Sequence, residues 1–88
     1  MRLTLVQIDP IVGDMPGNAR MISSWAHRAA DAGADLIVFP ELAICGYPPR
    51  DLLLQEGFCE QARDVCAELC SELPTGCVVM VGAPWKPS

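Results

Sequence analysis

No stretch of this 88-residue sequence approaches the roughly 18–20 consecutive apolar residues that cross a bilayer. The opening Met1-Arg2-Leu3-Thr4-Leu5-Val6 also lacks the long apolar region and small-residue cleavage site of a signal peptide. A cytoplasmic location without a membrane partner is therefore expected. Positive charge is sparse too. Lys86 is the single lysine, and with Arg2, Arg20, Arg28, Arg50 and Arg63 scattered along a chain of net charge −5 there is no basic stripe to follow a phosphate backbone. Nucleic acid is not an expected partner. Histidine occurs once, as His27, and no C-x-x-C pair occurs among Cys45, Cys59, Cys66, Cys70 and Cys77. The odd count argues against a disulfide framework. Steps of seven and four place Cys59, Cys66 and Cys70 near one helical face, but without a histidine cluster they read as small buried hydrophobes rather than as metal ligands.

What the chain does have is apolar surface. Hydrophobic residues make up 51% of it, too many for disorder and rich for a small domain that must cover its own core. A chain of this size buries only about 60–65% of its unfolded surface. The excess points to one incomplete domain over residues 1–88, with no second domain.

The order of elements follows from periodicity. Leu3-Thr4-Leu5-Val6-Gln7-Ile8 is a β-branched apolar run stopped at Asp9-Pro10, hence a first strand. Ile11 to Gly17 carries turn chemistry, and Asn18 is placed to cap a helix from Ala19. Ile22, Trp25, Ala26, Ala29 and Ala30 recur at helical spacing, with Gly33 at the left-handed C-terminal position. Ala34 to Phe39 is a continuous apolar run, too short for a helix and typical of a strand covered on both faces of a parallel sheet. Strand, helix and strand make a right-handed βαβ unit.

A loop with Gly46, Pro48 and Pro49 follows, and Asp51 can cap a helical turn at Leu52-Leu53-Leu54. Helical spacing resumes at Phe58, Ala62, Val65, Cys66, Leu69 and Leu73, with Glu56, Glu60, Arg63, Asp64, Glu68 and Glu72 on the wet face. Pro74-Thr75-Gly76 ends it, and Cys77 to Gly82 is the last strand, before a turn-like tail from Ala83 to Ser88. The result is an α/β chain, β-α-β-loop-α-β, whose sheet has unpaired edges and an uncovered face.

Ligands in parallel sheets bind beyond the carboxyl ends of the strands, which here are followed by Asp9-Pro10 and Pro40-Glu41. Glu41 is the sharpest candidate, since a carboxylate directly after four apolar residues is poorly solvated and can be tuned into a general acid or base. The plainer alternative, that it caps a helix or binds loop amides, stays open. His27 lies beside the polar face of the first helix and reads as solvated. Cys45 has no cationic neighbour to lower its pKa and reads as a packed loop thiol. The glycines make no phosphate-binding G-x-G-x-x-G fingerprint.

The runs L-V-Q-I-D-P-I-V-G-D-M-P-G-N, D-L-I-V-F-P-E-L-A-I-C-G-Y-P-P-R-D-L-L-L and V-V-M-V-G-A-P-W resemble, in order and spacing, the start of the nitrilase (carbon–nitrogen hydrolase) superfamily. The extension Gly46-Tyr47-Pro48-Pro49-Arg50-Asp51-Leu52-Leu53, with Val12-Gly13-Asp14 and Gly17-Asn18, is most similar to the glutaminase domains of its glutamine-dependent NAD⁺ synthetase branch. The resemblance implies the N-terminal β-α-β-α-β portion of a four-layer α-β-β-α sandwich, incomplete in these residues. It implies a Glu-Lys-Cys triad in which Glu41 is the general base, and it places Tyr47 near the glutamine pocket. Lys86 does not match the family's triad lysine, and neither Cys45 nor Cys77 matches its nucleophile; both are expected beyond residue 88. Glutamine is then the substrate, a missing synthetase domain the partner that uses ATP and Mg²⁺, and the full-length protein a homo-oligomer. Without nucleophile and lysine, the 88 residues alone are expected to be inactive. Two alternatives remain: another amidase of the superfamily, of ω-amidase or carbamoylase type, and a non-catalytic interaction module docking through the sheet edge.

Overall fold

In the computed structural model, which describes residues 1–40, 43–44 and 57–83, three short strands and two helices alternate along the chain. Strand β1 is Leu3–Leu5, helix α1 Met15–Asp31, strand β2 Leu36–Val38, helix α2 Phe58–Glu72 and strand β3 Val78–Met80. The helical turn expected at Leu52-Leu53-Leu54 and the tail beyond Ala83 lie outside the described residues. The sheet has the order β1-β2-β3, and both pairings are parallel, as the intervening helices require. Leu3, Leu36 and Val78 stand in one row, Thr4, Ile37 and Val79 in the next, and Leu5, Val38 and Met80 in the third.

Strand pairing begins at Arg2, whose carbonyl accepts from the amides of Asp35 and Leu36, while the Asp35 carboxylate takes the Arg2 amide at 2.7 Å. The Arg2 guanidinium also donates to the carbonyl of Ala32, tying the start of β1 to the end of α1.

Helix α1 starts earlier than the sequence reading places it. Its N-cap is Asp14, whose Oδ1 accepts from the Gly17 amide at 3.1 Å, and Pro16 fits the first turn because its missing N–H is an orphan donor there anyway. Asn18 is thus inside the helix rather than at its cap. At the other end Gly33 takes φ +94°, its amide bonds to Ala30 and that of Ala34 to Ala29, which is a Schellman closure of the C-terminal carbonyls. Helix α2 is capped by Gly57 and ends before Pro74, where that proline can no longer continue the ladder.

The core lies between the helices and one face of the sheet. Met15, Ile22 and Ala26 of α1, Phe58, Ala62 and Leu69 of α2, and Ile37 of β2 are all buried. Trp25, grouped with the apolar face by spacing alone, is instead 40% exposed, with the Arg28 guanidinium 4.3 Å from its ring centroid. A cation over an indole face explains how this ring sits at the edge of the core. Covering on both faces of β2 is not seen within the described residues: Ile37 points to the helices, whereas Leu3, Leu5, Val78 and Met80 on the opposite face are 54–69% exposed.

Candidate active site

Because the strands pair in register, they also end in step. Val6 to Ile8, Phe39 to Pro40, and Val81 to Gly82 leave the sheet along one rim, the carboxyl edge at which parallel sheets bind ligands. Two hollows open there. One, of about 530 Å³, is lined by residues including Gln7, Ile8, Phe39 and Pro40; the other, of about 190 Å³, shares Val38 to Pro40 with Met80 to Gly82.

Phe39, Ala43 and Ile44, which follow β2, are all held in the core. The Phe39 amide donates to the Met80 carbonyl at 2.9 Å and the ring is buried. Ala43 and Ile44 are fully buried, and the Ile44 amide donates to the Gly82 carbonyl at 3.3 Å. The Ile44 carbonyl accepts from Nδ2 of Asn18 at 2.9 Å. Asn18 itself is fully buried, and its other two bonds close on Ile11: Oδ1 accepts from the amide and Nδ2 donates to the carbonyl, both at 2.8 Å. Three bonds satisfy a polar side chain that would otherwise be costly in the core. Sequence reasoning missed this role by assigning Asn18 to a cap. The signal was its spacing, four before Ile22 and eight before Ala26, in the buried row of α1.

Glu41 and Tyr47, the residues expected to act, lie outside the described residues, as do Cys45 and Lys86. The other candidates are not brought to the rim. His27 is exposed on α1, where Nε2–H donates to the carbonyl of Glu72 at 2.6 Å and satisfies a C-terminal carbonyl of α2. Cys77 precedes β3, at the opposite end of the sheet from the rim, with its thiol 3.9 Å from the Pro74 carbonyl. Cys66 is half-buried on α2; burial pushes its thiol pKa up, and neighbouring Cys70 adds to the shift, so it has the opposite of a nucleophile's tuning. Among the described residues no three His, Cys, Asp or Glu side chains form a group able to hold a metal ion, and no helix is long and apolar enough to cross a membrane.

The sequence model of the carbon–nitrogen hydrolases matches residues 2–83. The chain belongs to this family. Among relatives within it, a glutamine-dependent NAD(+) synthetase of Synechocystis sp. is 41% identical over 80 residues, covering 91% of this chain and 14% of that protein. In three dimensions, a glutamine-dependent NAD(+) synthetase from Cytophaga hutchinsonii superposes with a TM-score of 0.91 and 26% identity over 100% of this chain and 15% of its own. An amidase from Nesterenkonia sp. superposes with a TM-score of 0.72 and 32% identity over 81% of this chain and 27% of its own. The chain thus spans about 14% of the length of its synthetase relatives, and its β-α-β-α-β layer corresponds to the N-terminal part of the carbon–nitrogen hydrolase fold in them.

Proposed function

We propose that these residues are the N-terminal part of a glutaminase domain that hydrolyses the side-chain amide of glutamine and supplies ammonia for ATP-dependent amidation of nicotinic acid adenine dinucleotide to NAD⁺. The observation that carries the reading is the superposition of the entire chain on a glutamine-dependent synthetase. The rim's construction supports it: two hollows meet at Pro40, at the carboxyl ends of the strands.

In the reaction, Glu41 takes the proton of a cysteine thiol supplied by downstream residues. The thiolate attacks the amide carbon of glutamine and the C–N bond breaks; the departing nitrogen takes the proton back and leaves as ammonia. Water then attacks the thioester, Glu41 again accepting a proton, and glutamate and the free thiol are released. A downstream lysine steadies the oxyanion, and Tyr47 borders the glutamine pocket. Base, nucleophile and oxyanion donor have to be held together for this to be fast, so residues 1–88 by themselves are inactive. ATP and Mg²⁺ belong to the synthetase domain; this chain has no glycine-rich phosphate loop, and no step described here uses them. The full-length protein is assigned to the cytoplasm as a homo-oligomer.

The test is glutamine hydrolysis by the full-length polypeptide carrying these residues. Glu41→Gln is expected to lower it by about 10³-fold or more, at the upper range for loss of acid–base catalysis, while NAD⁺ formation from added ammonia continues. Wild-type glutaminase turnover in Glu41→Gln would refute the assignment. The likeness to the Nesterenkonia amidase favours a second reading, an amidase acting on another amide. Hydrolysis of such an amide in preference to glutamine, with no ATP-binding domain in the same reading frame, would select it.

A further inference from the structure

We propose that Cys66 and Cys70 form a two-thiolate site on helix α2, apart from the rim, for one soft, two-coordinate metal ion of the copper(I) kind. Spacing alone groups Cys59, Cys66 and Cys70 near one helical face, and the helix then divides them. Cys59 lies two turns before Cys66, about 10 Å along the axis and too far to share an ion. Cys66 and Cys70 are one turn apart, which brings their Cβ atoms to about 5–6 Å. Burial, and after it the neighbouring Cys70, raises the Cys66 thiol pKa, so the two sulfurs are near enough to act on each other. Cys70 is exposed and does not serve as core packing, whereas Cys66 is half-buried against the core. The pair therefore has one thiol open to an arriving ion and one sheltered from solvent.

Magnitudes decide which ligand such a pair can take. A disulfide needs Cβ atoms about 3.5–4.5 Å apart, closer than an intact helix brings residues at this spacing. Zinc calls for four ligands, and among the described residues no three His, Cys, Asp or Glu side chains are grouped to supply even part of that set. A two-coordinate ion needs the pair alone. Two bonds of about 2.3 Å, the length of a zinc–thiolate bond, set in line hold the sulfurs about 4.6 Å apart, a span these side chains reach with the helix unbroken. Thiolates are soft ligands that select copper(I). Binding releases both thiol protons, forms two S–Cu bonds and leaves a bridge of one negative charge, with no electron transferred.

The experiment uses the full-length polypeptide carrying these residues, kept anaerobic and titrated with copper(I) against a colorimetric copper(I) chelator. Iodoacetamide labelling with peptide mass analysis then reads each thiol separately, so other cysteines of the polypeptide do not blur the result. Copper(I) is expected to block labelling of Cys70 and Cys66 together, at one copper concentration, while Cys59 labels as before. In Cys66→Ser the protection of Cys70 is lost. Cys66→Ser and Cys70→Ser each bind one copper ion fewer per chain than wild type, and the double variant loses no more than either, because both thiolates hold the same ion. Cys59→Ser binds as wild type does. If Cys66→Ser does not fold, as loss of a cooperative thermal transition would reveal, Cys70→Ser decides, since its position is exposed. The proposal is overturned if Cys70 labels at the same rate with and without copper(I), if it stays protected in Cys66→Ser, or if Cys70→Ser binds as much copper as wild type. Protection of Cys59 in step with Cys70 would mean that copper(I) binds thiols one by one, and overturns it too.

Discussion

At the scale of single residues, close packing in the first turn of α1 is the sharpest constraint. A Cβ on Gly17 would lie 2.3 Å from Oδ2 of Asp14, the residue that caps the helix. Gly17→Ala must therefore push the capping carboxylate away, and the expected cost is the value of an N-cap, about 1 kcal/mol. A urea midpoint unchanged from wild type would contradict it. Cys66 gives a pH-dependent counterpart. Its pKa is raised by burial and then by Cys70, so the folded chain holds the thiol proton more tightly than the unfolded chain does. The unfolded state binds fewer protons at alkaline pH, and stability should fall with rising pH there. That contribution is complete below the unfolded thiol value and lost as pH climbs from it to the folded one. Iodoacetamide labelling followed by peptide mass analysis should find Cys66 slower than exposed Cys70 in the folded protein; equal rates would refute the shielding. The spacing of Cys66 and Cys70 on one helical face is legible in the sequence, but the depth of burial at Cys66 and the contact of Gly17 with Asp14 are not. The backbone bonds of Phe39 to Met80 and of Ile44 to Gly82 were likewise unreadable, since they join residues far apart in the chain.

Whole elements were easier to read. The three-and-four spacing located both helices, and Phe58, Ala62 and Leu69 are buried while Glu60, Asp64, Glu68 and Glu72 are exposed. Periodicity fails at ends and boundaries. The start of α1 was misplaced because Pro16 and Gly17 look like loop residues, although the first helical turn tolerates both. Trp25 was misplaced because spacing cannot tell the centre of a buried stripe from its margin. Gly33 was legible, and it makes the element-scale prediction. At φ +94°, with Arg2 Nη1 3.0 Å from a Cβ that is not there, Gly33→Ala strains the backbone and crowds the side chain that ties β1 to α1. The expected loss is about 1–2 kcal/mol, the left-handed penalty for an L-residue, measurable as a lowered urea midpoint. A stability equal to wild type would mean that the α1–β2 turn can relax without loss of the Schellman closure.

For the molecule as a whole, the sheet's second face dominates. Leu3, Leu5, Val78 and Met80 stand exposed there beside the half-buried Leu36 and Val38, a contiguous apolar grid two residues deep along each strand. Covering one such side chain is worth about 1.5–3 kcal/mol, so four together rival the net stability of about 5–15 kcal/mol typical of a whole domain. An apolar face of this extent calls for cover, and a second layer packed on it is what the glutaminase reading proposes. Residues 1–88 prepared alone should self-associate and bind a hydrophobic dye such as ANS, and replacing Leu5 and Val78 with threonine should reduce both. A monomeric, dye-silent chain would argue that the face is covered from within.

The same grid sets a schedule as well as a structure. A ribosome adds about 5–20 residues per second, so in a longer polypeptide that begins with these residues the β-α-β-α-β layer has emerged seconds before its covering sheet. During that interval the exposed Leu3, Leu5, Val78 and Met80 are what a nascent-chain chaperone would meet first.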